Sequence, residues 1–183
     1  MIIDFVGALA TGLGLMGLMM LINRVTGRRM GRWVFPATVA LGMIGYTAWS
    51  EYTWGARTLE GQPQLRVAVE AGEPTLLRPW TYIIPQTTRM IAIDLARTQV
   101  HPDQPDLVMT QVVLLGRWQP VRAASVVYDC TGHRRADIAE GVTLNADGTL
   151  EGADWIALEA GDAVLGTACA AGEEIRNGRS NGS

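Results

Sequence analysis

Lysine is absent: all fifteen basic residues are arginine. We read this as the mark of a high-GC bacterial genome rather than of a function. Cysteine is scarce, with two in 183 residues, Cys130 and Cys169, and they are too far apart for a Cys-x-x-Cys redox pair. Phosphate-binding glycine loops, the Cys-x-x-Cys-His haem motif and the His-Glu-x-x-His zinc motif are all missing. Gly12-x-Gly14-x-x-Gly17 matches a dinucleotide fingerprint, but it sits inside an apolar run with no strand before it. Charge is missing from two long stretches, Phe5–Ile22 and Val34–Ala48. Apolar runs without an internal ionisable group lack the usual mark of a proton or ion pathway.

What is present is a hairpin of two apolar runs. Phe5–Ile22 has eighteen uncharged residues. As a helix it spans roughly 27 Å, close to the thickness of a bilayer's hydrocarbon layer. The second run, Trp33–Trp49, carries aromatic residues at its ends, as headgroup-level segments do. Pro36 falls in its first turn, where proline costs a helix little. Between the runs lie Arg24, Arg28, Arg29 and Arg32. Positive residues stay on the cytoplasmic side, so the turn is predicted cytoplasmic and both termini periplasmic in a bacterial inner membrane. A cleavable signal peptide is not expected, because the basic leader and small-residue cleavage site are missing. Small residues predict close helix packing at Ala8, Ala10, Gly12, Gly14 and Gly17 on the first run and at Gly42 and Gly45 on the second. One small face serves the hairpin, and the rest is open to a second protein.

The predicted domains are a transmembrane hairpin over 1–50, a linker over 51–63, a periplasmic domain over 64–171 and a disordered tail over 172–183. Residues 51–183 hold eleven arginines and seventeen carboxylates, a net −6. That balance argues against nucleic acid and against anionic headgroups as partners of the outer domain. In an oxidising compartment Cys130 and Cys169 pair by default. Alternation predicts strands over Gln64–Glu70, Arg89–Thr98, Leu107–Leu115 and Val121–Asp129. Thr75–Arg78 is a candidate short strand. Asp137–Leu144 and Thr149–Leu158 flank an Asp147-Gly148 hairpin turn. Gly161–Ala171 predicts a helix capped by Asp162. Arg78–Pro85 is apolar and bracketed by prolines; core packing is preferred for it, over an edge facing a membrane or a partner. Cys130-x-x-His133 is half a metal site with too few further ligands, so no metal or cofactor is expected.

Tyr128-Asp129-Cys130, Arg134-Arg135, Asp147-Gly148, Trp155, Gly161 and the segment ending at Cys169 together resemble the C-terminal half of the surface-adhesin E family. These are small bacterial envelope proteins. The resemblance covers about fifty residues and implies one antiparallel sheet, a C-terminal helix and a strand-to-helix disulfide. It does not extend to adhesion, since a membrane hairpin stands where that family has a signal peptide or lipid anchor.

The expected fold is thus a membrane protein: a two-helix hairpin plus an α+β outer domain. The expected function is non-catalytic, as an accessory or assembly subunit of an inner-membrane protein complex, with respiratory, photosynthetic and motor complexes as candidates. The alternative is a free-standing, membrane-anchored periplasmic binding module. Expected partners are the lipid bilayer and an integral membrane complex.

Overall fold

The computed structural model describes residues 2–72, 74, 76, 79–138, 142–144, 150–152 and 154–180. It divides into two compact units, Met1–Arg57 and Thr58–Ser183.

Helix α1 spans Ile2–Val25 and α2 spans Val34–Glu60. α1 ends where Gly27 and Arg28 turn left-handed, at φ 75° and 58°. There the Arg28 amide donates to the Asn23 carbonyl at 2.7 Å, and the Met30 amide donates to Asn23 Oδ1 at 3.2 Å. Helix-end groups that would lack partners are thereby satisfied. The chain then reverses, and the two helices pack antiparallel. Gly7 sits against the Tyr46 phenol, Gly12 against Val39 and Met43, and Gly42 against Thr11 and Leu15. Ser50 Oγ donates to Asp4 Oδ1 at 2.6 Å and closes the open end. Arg57 Nη2 donates to the Ser50 carbonyl at 3.2 Å, and its guanidinium stacks 4.9 Å from the Trp49 ring centroid.

Among the described residues one helix, over Asp4–Val25, is long and apolar enough to cross a membrane. Only 6% of that window is buried. α2 falls short of the same measure: its apolar run holds Pro36, Thr38, Tyr46 and Thr47 and ends at Ser50 and Glu51. The expected linker over 51–63 is also different: α2 continues through it to Glu60. Gly55 reads as a helix breaker, but one glycine costs a helix only about 1 kcal/mol, and Arg57 ties this part back to Ser50.

In the second unit six strands form one antiparallel sheet in the order β1-β2-β3-β4-β5-β8. They are β1 Leu65–Ala71, β2 Arg89–Val100, β3 Leu107–Gly116, β4 Arg122–Asp129, β5 Arg134–Ile138 and β8 Trp155–Ala157. β6 Thr143–Leu144 and β7 Leu150–Glu151 pair separately, and the turn expected between them lies outside the described residues. Of the candidate strand 75–78, only Leu76 is described, in a turn.

Alternate residues of a strand face opposite ways. Ile93, Val112, Val126 and Tyr128 therefore share one face, and against it lie Leu165 and Ala168 of α3, Ala163–Ser180. Asp162 Oδ1 accepts from the Val164 and Leu165 amides at 2.9 and 2.8 Å, the cap that its position predicts. The helix runs past Ala171, through most of the stretch expected to be a disordered tail. Gly172 permits this close approach to the sheet: a Cβ there would lie 2.6 Å from Val108. Glu174 then pairs with Arg66 of β1 through two hydrogen bonds, of 2.7 and 2.9 Å. On the opposite face Met90, Ala92, Val113, Leu115 and Val127 are buried.

β2 is interrupted between Asp94 and Gln99, where its register against β3 shifts. Asp94 Oδ1 takes the Ala96 amide, and the buried Thr98 hydroxyl bonds both the Asp94 carbonyl and Thr110 Oγ1. Short polar groups thus satisfy the backbone that a bulge leaves unpaired.

Candidate functional site

Cys130 and Cys169 form a disulfide with Cα atoms 5.9 Å apart, joining the end of β4 to α3. Beside it the β4–β5 turn is locked. Asp129 accepts from the Gly132 amide at 2.8 Å and from Arg134 Nε at 2.7 Å. Burial alone would push the Asp129 carboxyl up in pKa, but the Gly132 amide, Arg134 and the Thr131 amide outweigh it and hold it below the ordinary range. The Arg134 guanidinium also stacks 4.6 Å from the Trp155 ring centroid. His133 is exposed and left-handed at φ 47°. Asp129, Cys130 and Arg134 thus form a structural clasp, while Tyr128 lies in the core and Arg135 faces Asp137 at 3.7 Å. Among the described residues no three His, Cys, Asp or Glu side chains gather as metal ligands.

In the helical unit the expected packing residues divide between two faces. Gly12 and Gly42 lie at the helix–helix contact, and Ala8 is half-buried. Gly14, Gly17 and Gly45 have nothing within 4 Å of where a Cβ would be, and Ala10 is exposed. Gly7, part of the same small-residue pattern, joins the contact against Tyr46, four residues before Thr11, which meets Gly42. Arg24, Arg28, Arg29 and Arg32 are all exposed around the interhelical turn.

A third region was read differently from sequence. The Arg78–Pro85 segment, for which core packing is the preferred expectation, begins in its described part as a short 3₁₀ turn over Pro79–Tyr82, Arg78 lying outside the described residues. Thr81 is buried, but Tyr82, Ile83 and Ile84 are 59%, 83% and 58% exposed. The loop that carries them leaves and returns at one strand end. Gly72 abuts the Gln86 carbonyl, and the Thr88 amide donates to Ala71 at 2.9 Å. The β3–β4 loop meets it there, with the Arg117 amide donating to the Thr88 carbonyl at 3.0 Å. That second loop exposes Trp118 and Val121. At these strand ends, on the sheet face that carries Ile93 and Val112, lies a groove of about 620 Å³. Its lining includes Val69, Ile91, Leu114 and Pro120, with Arg89 and Arg122 at its rim. Hydrophobicity of 79–85 was legible in sequence; its outward direction was not.

Neither a family model, a curated protein nor a solved structure matches this chain.

Proposed function

We propose that this chain is a non-catalytic accessory or assembly subunit of a bacterial inner-membrane protein complex. The observation that carries the reading is α1: an apolar helix with almost none of its span buried, in a chain whose second unit is stapled by a disulfide. Such a helix is a membrane anchor or an export signal, and a stable disulfide belongs to an oxidising compartment. We take α1 and α2 as one membrane hairpin with the arginine turn cytoplasmic and both termini periplasmic. Gly14, Gly17 and Gly45, open on the outer faces, then suit close approach by a partner's helix. Respiratory, photosynthetic and motor complexes are candidates by architecture alone. The sheet, C-terminal helix and staple support the resemblance to the surface-adhesin E scaffold, which we keep as a proposal about ancestry.

Purification in mild detergent tests the role. A stoichiometric large complex is expected, and a chain that elutes alone would refute subunit status. Alkaline phosphatase fused after Ser183 should be active and after Arg29 inactive; the reverse pattern would refute the topology. The groove favours a second reading, a free-standing membrane-anchored binding module, since its volume is that of a small-molecule site. A small molecule retained by protein that elutes alone would favour that reading.

A further inference from the structure

We propose that the end of the sheet formed by residues 79–88 and the 117–121 loop lies on an anionic bilayer surface. Four large apolar side chains at loop tips are more than half exposed there: Tyr82, Ile83, Ile84 and Val121. Trp118 joins them at 47%. They lie on two loops joined by the Arg117–Thr88 bond. Exposed apolar loop residues suit insertion among headgroups, where tryptophan and tyrosine are enriched.

The charge at this end supports the same occupant. The outer region is −6 as a whole, yet that charge is uneven. Arg89 and Arg122 rim the groove, and Arg117 stacks 4.6 Å from the Trp118 ring centroid. Among the described residues of these loops and the strand ends that carry them, Glu70 is the one carboxylate, and Thr87 donates to it at 3.2 Å. The carboxylates Asp103 and Asp106 sit at the other end of the sheet, in the β2–β3 loop. Arginines beside exposed apolar residues complement phosphate headgroups over hydrocarbon. A membrane helix on the same chain would keep such a surface at high effective concentration. The inference rests on α1 as an anchor but not on the subunit reading.

Amide exchange on the full chain tests it. The chain would be placed in amphipol, in phosphatidylcholine nanodiscs and in nanodiscs that also contain phosphatidylglycerol. Amides of Tyr82, Ile83, Ile84, Gln86, Trp118, Gln119 and Val121 should exchange roughly tenfold more slowly with phosphatidylglycerol than in amphipol. Arg89→Glu with Arg122→Glu should remove the increment due to phosphatidylglycerol. Ile83→Ser with Trp118→Ser should remove protection in both nanodiscs. An intact disulfide and an unchanged melting temperature would show that each variant is folded. Equal exchange in all three settings, with the chain co-eluting with nanodiscs, would overturn this inference and leave the anchor standing. Failure to co-elute would overturn both. Protection seen only in native membranes would assign the surface to a protein partner and overturn the lipid proposal.

Discussion

The two ends of β4 differ in kind. At its first end Arg122, Ala123 and Ala124 are exposed, and the loop before them displays Trp118 and Val121. At its last end Val126, Val127, Tyr128 and Asp129 are buried, and the chain passes into a disulfide and a closed turn. Both loops join neighbouring antiparallel strands, so topology does not set them apart. Direction does: at one end polar groups turn inward to each other, while at the other apolar groups turn outward. The first arrangement stabilises the fold, and the second is surface available for contact.

The largest effect should come from opening the staple. A Cys130→Ser and Cys169→Ser double variant loses a crosslink across 39 positions. The chain-entropy model puts this at about 3–4 kcal/mol. Denaturant unfolding should shift by that amount, and non-reducing mass spectrometry of the native chain should show two hydrogens fewer than the reduced form. An unchanged midpoint would mean that α3 is held by packing alone.

Next comes Gly132→Ala. Its Cβ would lie 2.5 Å from Asp129 Oδ2, inside the turn that Asp129 closes. Overpacking of this sort costs about 1–3 kcal/mol. A variant as stable as the parent would show that the turn gives way easily and that the two ends of β4 are less unlike than described.

Asp129→Asn sharpens the comparison through pH. Asp129 has a depressed pKa in the fold, so its carboxylate contributes stability above the unfolded value of about 3.9 and loses it as pH falls through the lower folded value. The gap between parent and variant should be full at neutral pH, on the order of 1–3 kcal/mol for charge-assisted bonds. It should close below about pH 4. A gap constant down to strong acid would mean that shape, not charge, holds the turn.

The core of the sheet was legible because alternation marks an inward face whatever lies against it. Asp162 was legible as a cap because its acceptor sits where amides would otherwise lack a partner. What failed were positions whose meaning depends on a distant neighbour. Gly172 looks like tail composition until Val108 is beneath it, and Gly55 looks like a break until Arg57 reaches Ser50. Gly12 and Gly14 are equivalent in a small-residue pattern, yet only Gly12 meets the second helix, since the register between helices decides it. The locked turn was half legible: Asp129 and Arg134 suggested an ion pair, but not that a Cβ at position 132 would crowd Asp129 Oδ2. For Tyr82–Ile84 the apolar character was plain, and no local signal says whether a loop tip turns in or out.

The smallest effect is expected at the open end. Trp118 and Val121 are 47% and 61% exposed, so replacing them removes little that folding has buried. Arg117 stacks on Trp118 and would lose that contact in Trp118→Ala, but exposed cation–π pairs are worth only about 0.5–1 kcal/mol. Val121→Ser should stay within about 0.5 kcal/mol, as surface substitutions do. Melting of the two variants beside Gly132→Ala makes the contrast quantitative. If Trp118→Ala and Val121→Ser destabilise the chain as much as Gly132→Ala does, these side chains support the fold rather than a contact. The two ends of β4 would then be alike in role, and the open end could no longer be read as a docking surface.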